Sequence, residues 1–100
     1  MIRLSYILLQ RLSELTANTL ERSLALLHEC GYDGVEFNLT RTLGVPVAEL
    51  ERLVHKHNLA VPSFLTGEAY AEGLCLCSPD ADVRARTVQR LVEYLGIVQR

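Results

Sequence analysis

Apolar positions along the chain follow two alternating rhythms. Arg3 to Leu9, RLSYILL, is short, apolar and β-prone, which predicts a first strand. Beyond a polar connection, Leu20, Leu24 and Leu27 recur on one helical face, so Thr19 to Cys30 is expected to be an amphipathic helix. Asn18, Thr19 and Glu21 suit a reciprocal cap at its start, and Gly31 suits a left-handed stop. DGVEFN, residues 33–38, then predicts a second strand. Arg41 to Val45 is expected as a loop, with Pro46 in the first turn of a helix carrying Leu50, Leu53, Val54 and His57 and stopping at Asn58. Ala60 to Leu65, AVPSFL, predicts a third strand, although Pro62 removes one ladder hydrogen bond. TGEAYAEGLCLC is a long connection. Ser78 and Pro79 open a last helix, with Asp80 and Asp82 near its positive end and Val88, Leu91, Val92, Leu95 and Val98 as its expected buried stripe. Gly96 weakens that helix by roughly 1 kcal/mol relative to Ala.

The order β-α-β-α-β-α implies an α/β fold whose parallel strands are joined by right-handed crossovers. No linker, repeat or low-complexity tract divides the chain, so residues 1–100 read as a single unit. Of the 100 residues, 49% are hydrophobic and the net charge is −2, which fits an ordinary globule rather than a disordered chain. The arginines are scattered, with no basic stripe to follow a phosphate backbone, so no nucleic-acid partner is expected. Polar Gln10, Arg11, Ser13 and Glu14 interrupt the opening, which argues against a secretion signal or membrane span. Cys30, Cys75 and Cys77 are an odd set with no disulfide framework, and reduced thiols in a cytoplasmic setting are the expectation.

Glu36 is the residue that asks for an explanation. A carboxylate inside an apolar strand is costly unless it is paired, hydrogen-bonded or solvated. It is therefore surface decoration on a half-exposed strand, or it faces a polar cavity. Elsewhere the familiar chemistries are missing. His55 and His57, two apart on a helix, point to different sides and cannot share one ion. His28 reads as a surface or packing residue. Cys75 and Cys77 fit one strand face but lack the further partners a zinc site needs. No metal site confined to this chain is expected, nor a Ser-His-Asp set, a glycine-rich phosphate loop or a redox Cys pair.

Several segments taken in order carry a resemblance. Gly31 to Glu36 (GYDGVE), Thr66 to Tyr70 (TGEAY), Gly73 to Leu76 (GLCL) and Ser78 to Arg84 (SPDADVR) resemble the sugar phosphate isomerase/epimerase family of the xylose isomerase-like TIM barrels, from about Leu20 onward. Each motif is weak alone; their order and spacing are more specific. The resemblance implies that Val35 and Phe37 pack outward against helices. Glu36 and Asn38 then point to the barrel interior near the strand's carboxyl end, where such barrels build their sites. There Glu36 either meets substrate hydroxyls, or forms a structural ion pair, or stays solvated. Thr66 and Gly67 are either a substrate loop, with Gly67 supplying a positive φ, or an ordinary strand-ending turn. Tyr70 covers a sugar face or plugs the barrel rim, and Glu68 and Glu72 are expected in solvent. Substrate-side candidates are thus Glu36, Asn38, Thr66, Gly67 and Tyr70.

Complete members of that family are expected to use a divalent metal (Mn, Mg, Co or Zn) to polarise a sugar oxygen while carboxylates move a proton at the neighbouring carbon. In the epimerase branch those ligands lie on later strands, so no metal is expected on this chain alone. A closed barrel takes about 250 residues. The expectation is therefore the amino-terminal (βα)3 portion of an incomplete barrel, contributing scaffold and sugar or sugar-phosphate contacts. Its first and third strands should leave edges open to self-association or to the missing barrel half. A catalytically silent scaffold or interaction domain, and the endonuclease branch of the same superfamily, are the alternatives.

Overall fold

The computed structural model describes residues 2–99 and contains three parallel strands in the order β1-β2-β3, with helices between them. The elements are β1 (Ser5–Arg11), a 3-10 turn (Leu12–Glu14), α1 (Ala17–Glu29), β2 (Gly34–Asn38), α2 (Val47–Lys56), β3 (Phe64–Leu65), α3 (Gly67–Ala71) and α4 (Ala81–Val98). The α/β class and parallel sheet agree with the pattern of the sequence. No described helix is long and apolar enough to cross a membrane.

β2 is central and sets the layering. Its Val35 and Phe37 are 0% and 1% exposed, whereas Glu36 and Asn38, one residue out of phase, are only half-buried. Val35 and Phe37 belong to a core with Leu8 of β1, Leu20, Leu24 and Leu27 of α1, and Leu50, Leu53 and Val54 of α2. Side chains alternate between sheet faces with a period of two. Tyr6 therefore shares the core face with its register partner Val35, and Leu8 shares it with Phe37; Ile7 shares the opposite face with Glu36. That opposite face is left open, and Ile7 and Leu9 stay 42% and 77% exposed. Burying an aliphatic or aromatic side chain is worth about 1.5–3 kcal/mol, so the core residues outweigh any surface ion pair in fixing which face points inward.

Local departures from the expected elements each have a cause. α1 begins two residues earlier than expected. Thr16, not Asn18, is its cap: the Thr16 hydroxyl accepts from Thr19 N at 3.2 Å and Thr16 N donates to the Thr19 hydroxyl at 3.0 Å. Glu21 is thereby free to pair with Lys56 of α2. Gly31 has φ +84° and Asn58 φ +54°, the expected left-handed stops. β3 is only two residues long. Ala60 makes one bridge to Gly34, and the ladder resumes only after Pro62, which has no N–H to donate.

The connection after β3 is not a plain loop, since residues Gly67–Ala71 form α3 with Ala69 buried. The buried stripe of α4 also differs from the expected one. Thr87 and Tyr94 are buried, Leu91, Ile97 and Val98 are partly buried, and Val88, Val92 and Leu95 are 52%, 61% and 61% exposed. Two adjacent apolar rows run along this helix. The row with Tyr94 has the largest side chain to bury, and Arg90 beside it reaches Glu72 behind α3. The helix is therefore turned by about one residue, roughly 100°, and the second row is left without cover.

Gly44 sits where the loop before α2 crosses the turn after β1. Its N–H donates to Leu12 O at 2.9 Å, and a Cβ there would stand 2.2 Å from Leu15 O. Gly44→Ala is expected to destabilise the fold by about 1–3 kcal/mol, the usual cost of overpacking, read as a lowered denaturant midpoint with unchanged slope.

The Lys56 ammonium, by hydrogen bond and charge, holds the Glu21 carboxyl below its usual range, with His57 adding to the effect. A carboxyl depressed in the folded state contributes stability above its unfolded pKa, and the contribution disappears as pH falls through the folded value. Stability should thus decline on acidification below about pH 4.5, and Glu21→Gln should flatten that decline in urea titrations at stepped pH.

Candidate functional site

The open face of the sheet at the carboxyl ends of the strands gathers most of the candidate residues. Glu36 projects from the middle of β2, and its Oε1 accepts a hydrogen bond from the Ser63 hydroxyl just before β3. Asn38 ends the strand. Its Nδ2 donates to Leu9 O at 3.3 Å and to Glu68 Oε1 at 3.4 Å. The other Glu68 oxygen pairs with Arg11 Nε at 3.2 Å, and Arg11 also lies 3.7 Å from Glu14. A polar chain Leu9–Asn38–Glu68–Arg11 therefore spans the ends of β1 and β2 and the start of α3. Glu68 is only 19% exposed, so its expected solvation is corrected.

What made Glu68 hard to see in the sequence is that α3 itself was hidden in a polar, glycine-bearing stretch. Once Gly67–Ala71 is helical, Glu68 lies in the first turn and turns toward Asn38. Glu72 is likewise paired, through Arg90 of α4, while remaining about half exposed. Hydrogen bonding to Glu72 raises the Arg90 pKa further above its ordinary range.

Thr66 and Gly67 occupy the same end of the sheet. Thr66 is the residue preceding α3 and its hydroxyl makes no capping hydrogen bond. Gly67 opens the helix, and the positive-φ glycines of the described chain are Gly31 and Gly73, so a left-handed role for Gly67 is corrected. Nothing lies within 4 Å of where its Cβ would be. Tyr70 is 73% exposed and stands off α3 into solvent.

Asp33 and Gly34 of the DGVE run have structural tasks. The Asp33 carboxylate accepts from Leu4 N at 2.9 Å and so joins the β2 entry to β1. At Gly34 a Cβ would come 2.9 Å from Ala60 O, so the glycine admits the third strand. Glu36 and Asn38 hold the side chains of this strand that face the open side.

Among the described residues no group of three or more His, Cys, Asp or Glu side chains is placed to hold a metal ion. His28 and His55 are exposed, and His57 Nε2 lies 3.4 Å from Glu21 on the helical side, away from the sheet's open face. Cys75 and Cys77 sit in the connection between α3 and α4, and all three thiols are free. These residues do not fit a divalent-metal site. Comparison with models of known protein families and with curated proteins returns no match to this chain.

Glu68→Ala removes the acceptor shared by Asn38 and Arg11. It is expected to cost about 1–2 kcal/mol, the scale of a lost charge-assisted hydrogen bond. In amide NMR spectra the shifts should concentrate at Leu9, Arg11 and Asn38. A change confined to α3 would show that the three groups do not act together.

Proposed function

We propose that this chain is the amino-terminal (βα)3 portion of a cytoplasmic sugar or sugar-phosphate isomerase or epimerase of the xylose isomerase-like kind, supplying scaffold and substrate-side contacts. The observation that carries the reading is the placement of Glu36 and Asn38. Both leave the central parallel strand on the face without helices, toward the end where open α/β sheets and barrels bind their ligands. A sugar offers vicinal hydroxyls, each a donor and an acceptor. Glu36 accepts such hydroxyls in place of the Ser63 hydroxyl, and the Asn38 amide adds a donor and an acceptor at fixed spacing. Tyr70 supplies an exposed ring at the rim for the apolar face of the sugar. Any divalent metal of the complete enzyme would supply Lewis-acid polarisation of the sugar carbonyl and would be held by residues of strands other than these.

A second reading, a catalytically silent interaction domain, is favoured by one observation. Glu36, Asn38 and Glu68 all have partners within the chain, as structural polar groups do.

Titration of the isotopically labelled chain with ketoses and ketose phosphates separates the two. Under the sugar reading, amide shifts cluster at Glu36–Asn38 and Thr66–Tyr70 with millimolar affinity, and Glu36→Gln weakens binding about tenfold, a loss of about 1.4 kcal/mol. Shifts absent from β2, or identical in Glu36→Gln with its fold intact, count against the sugar site and leave the silent domain.

A further inference from the structure

We propose that Arg90 of α4 is a positioning residue for the candidate site: through Glu72 it fixes the place and rotation of α3, and so aims Glu68 at Asn38. The polar contacts of Arg90 go to Glu72 and Glu93, not to the substrate-side candidates. α3 cannot hold its place unaided. It is five residues long and buries only Ala69, and isolated helices shorter than roughly 12–15 residues are marginal in water. Its end is closed by backbone bonds from Gly73 N to Tyr70 O at 2.9 Å and from Leu74 N to Ala69 O at 3.0 Å. These bonds shape the segment without tying it to the ends of the strands.

Two arginines supply that tie, one at each end of α3. Glu68, in the first turn, meets Arg11 Nε at 3.2 Å, and Glu72, at the carboxyl cap, meets Arg90 Nη1. The two pairs differ in burial. The Arg11 side chain is 54% exposed and that of Arg90 only 12%. An exposed ion pair contributes little, because water and salt compete for both charges. A guanidinium taken out of water must keep its partner, since an unpaired buried charge is costly. If Glu72 moved off, Arg90 would be left with Glu93 at 3.8 Å and the Tyr94 ring at 6.0 Å. Glu93 is already shared with Arg41 of the loop after β2, at 3.4 Å. Arg90 therefore holds the firmer end of α3.

Helical spacing turns this anchor into a setting of the site. Glu68 and Glu72 are four residues apart, so both lie on one face of α3. Tyr70 is two residues from each, about 200° round the helix, and stands out into solvent. Fixing Glu72 against α4 therefore fixes the rotation of the whole turn. Glu68 then faces Asn38 and Arg11, and Tyr70 takes the rim. Release of Glu72 would let the turn roll and carry Glu68 off Asn38. The inference deepens the sugar reading, because the segment it sets, Thr66 to Tyr70, carries three of the five substrate-side candidates.

NMR of the isotopically labelled 100-residue chain, without sugar, tests this at the groups that meet Glu68: the Asn38 side-chain amide and the Arg11 Nε–H. Arg90→Gln and Glu72→Ala are each expected to shift both signals. Each should also speed hydrogen exchange at the Gly73 and Leu74 amides about tenfold, the scale of one lost charge-assisted hydrogen bond. Because the two residues act through one contact, the double variant should do no more than either change alone. Glu72→Ala, at a half-exposed position, carries the test if Arg90→Gln does not fold. Asn38 and Arg11 signals that stay in place in Glu72→Ala, shifts confined to α4, or additive effects in the double variant overturn the proposal. A purely structural Arg90 would lower stability and leave the Asn38 signal of the folded chain unmoved. No sugar enters these measurements, so failure here is distinct from failure of the sugar reading.

Discussion

Burial of Val35 and Phe37 on one side of the central strand is the constraint on which the remaining structure depends. Both side chains are almost wholly removed from water, together with leucines of α1 and α2. Because strand side chains alternate, that burial aims Glu36 and Asn38 at the other face. A register slip of one residue would bury the carboxylate and expose Phe37, at a cost of several kcal/mol from both changes. The hydrogen bonds of Asn38 and Glu68 refine an orientation that hydrophobic burial has already chosen.

The layering follows from the same constraint. Helices α1 and α2 cover one side of the sheet, joined at their surface by Glu21, Lys56 and His57. The other side carries a mixed lining: apolar Ile7 and Leu9 from β1, polar Glu36 and Asn38 from β2. Parallel sheets are ordinarily buried on both faces, so an open face of this composition is unusual for a chain that stands alone. Unsatisfied surface recurs on α4, where Val88, Val92 and Leu95 form a second apolar row beside the one packed near β3.

Polar groups at the strand ends are arranged economically. Asp33 and Gly34 serve the entry of β2, one accepting the Leu4 amide and the other making room for Ala60. Asn38 serves its exit, tied to Leu9 and Glu68. Between these two ends Glu36 has a serine hydroxyl as its partner, a bond that a ligand hydroxyl can replace in kind. That difference separates the residues that hold the strand from the one that is chemically available.

The sequence by itself determined the alternation of strands and helices, the parallel class, the stops at Gly31 and Asn58, and the opposite facing of Glu36 and Phe37. Each is a local consequence of residue period or backbone freedom. Tertiary structure alone decided the rest. Which apolar row of α4 is buried depends on where Tyr94 and Arg90 find partners. The length of β3 depends on where the chain regains the β2 ladder after Pro62. The pairing of Arg11, Asn38 and Glu68 joins residues from three elements, and α3 lay unnoticed in a stretch too short for a helical period to show. Periodicity reports which residues avoid water; it carries no information about which neighbour receives them, because that choice is made between segments distant along the chain.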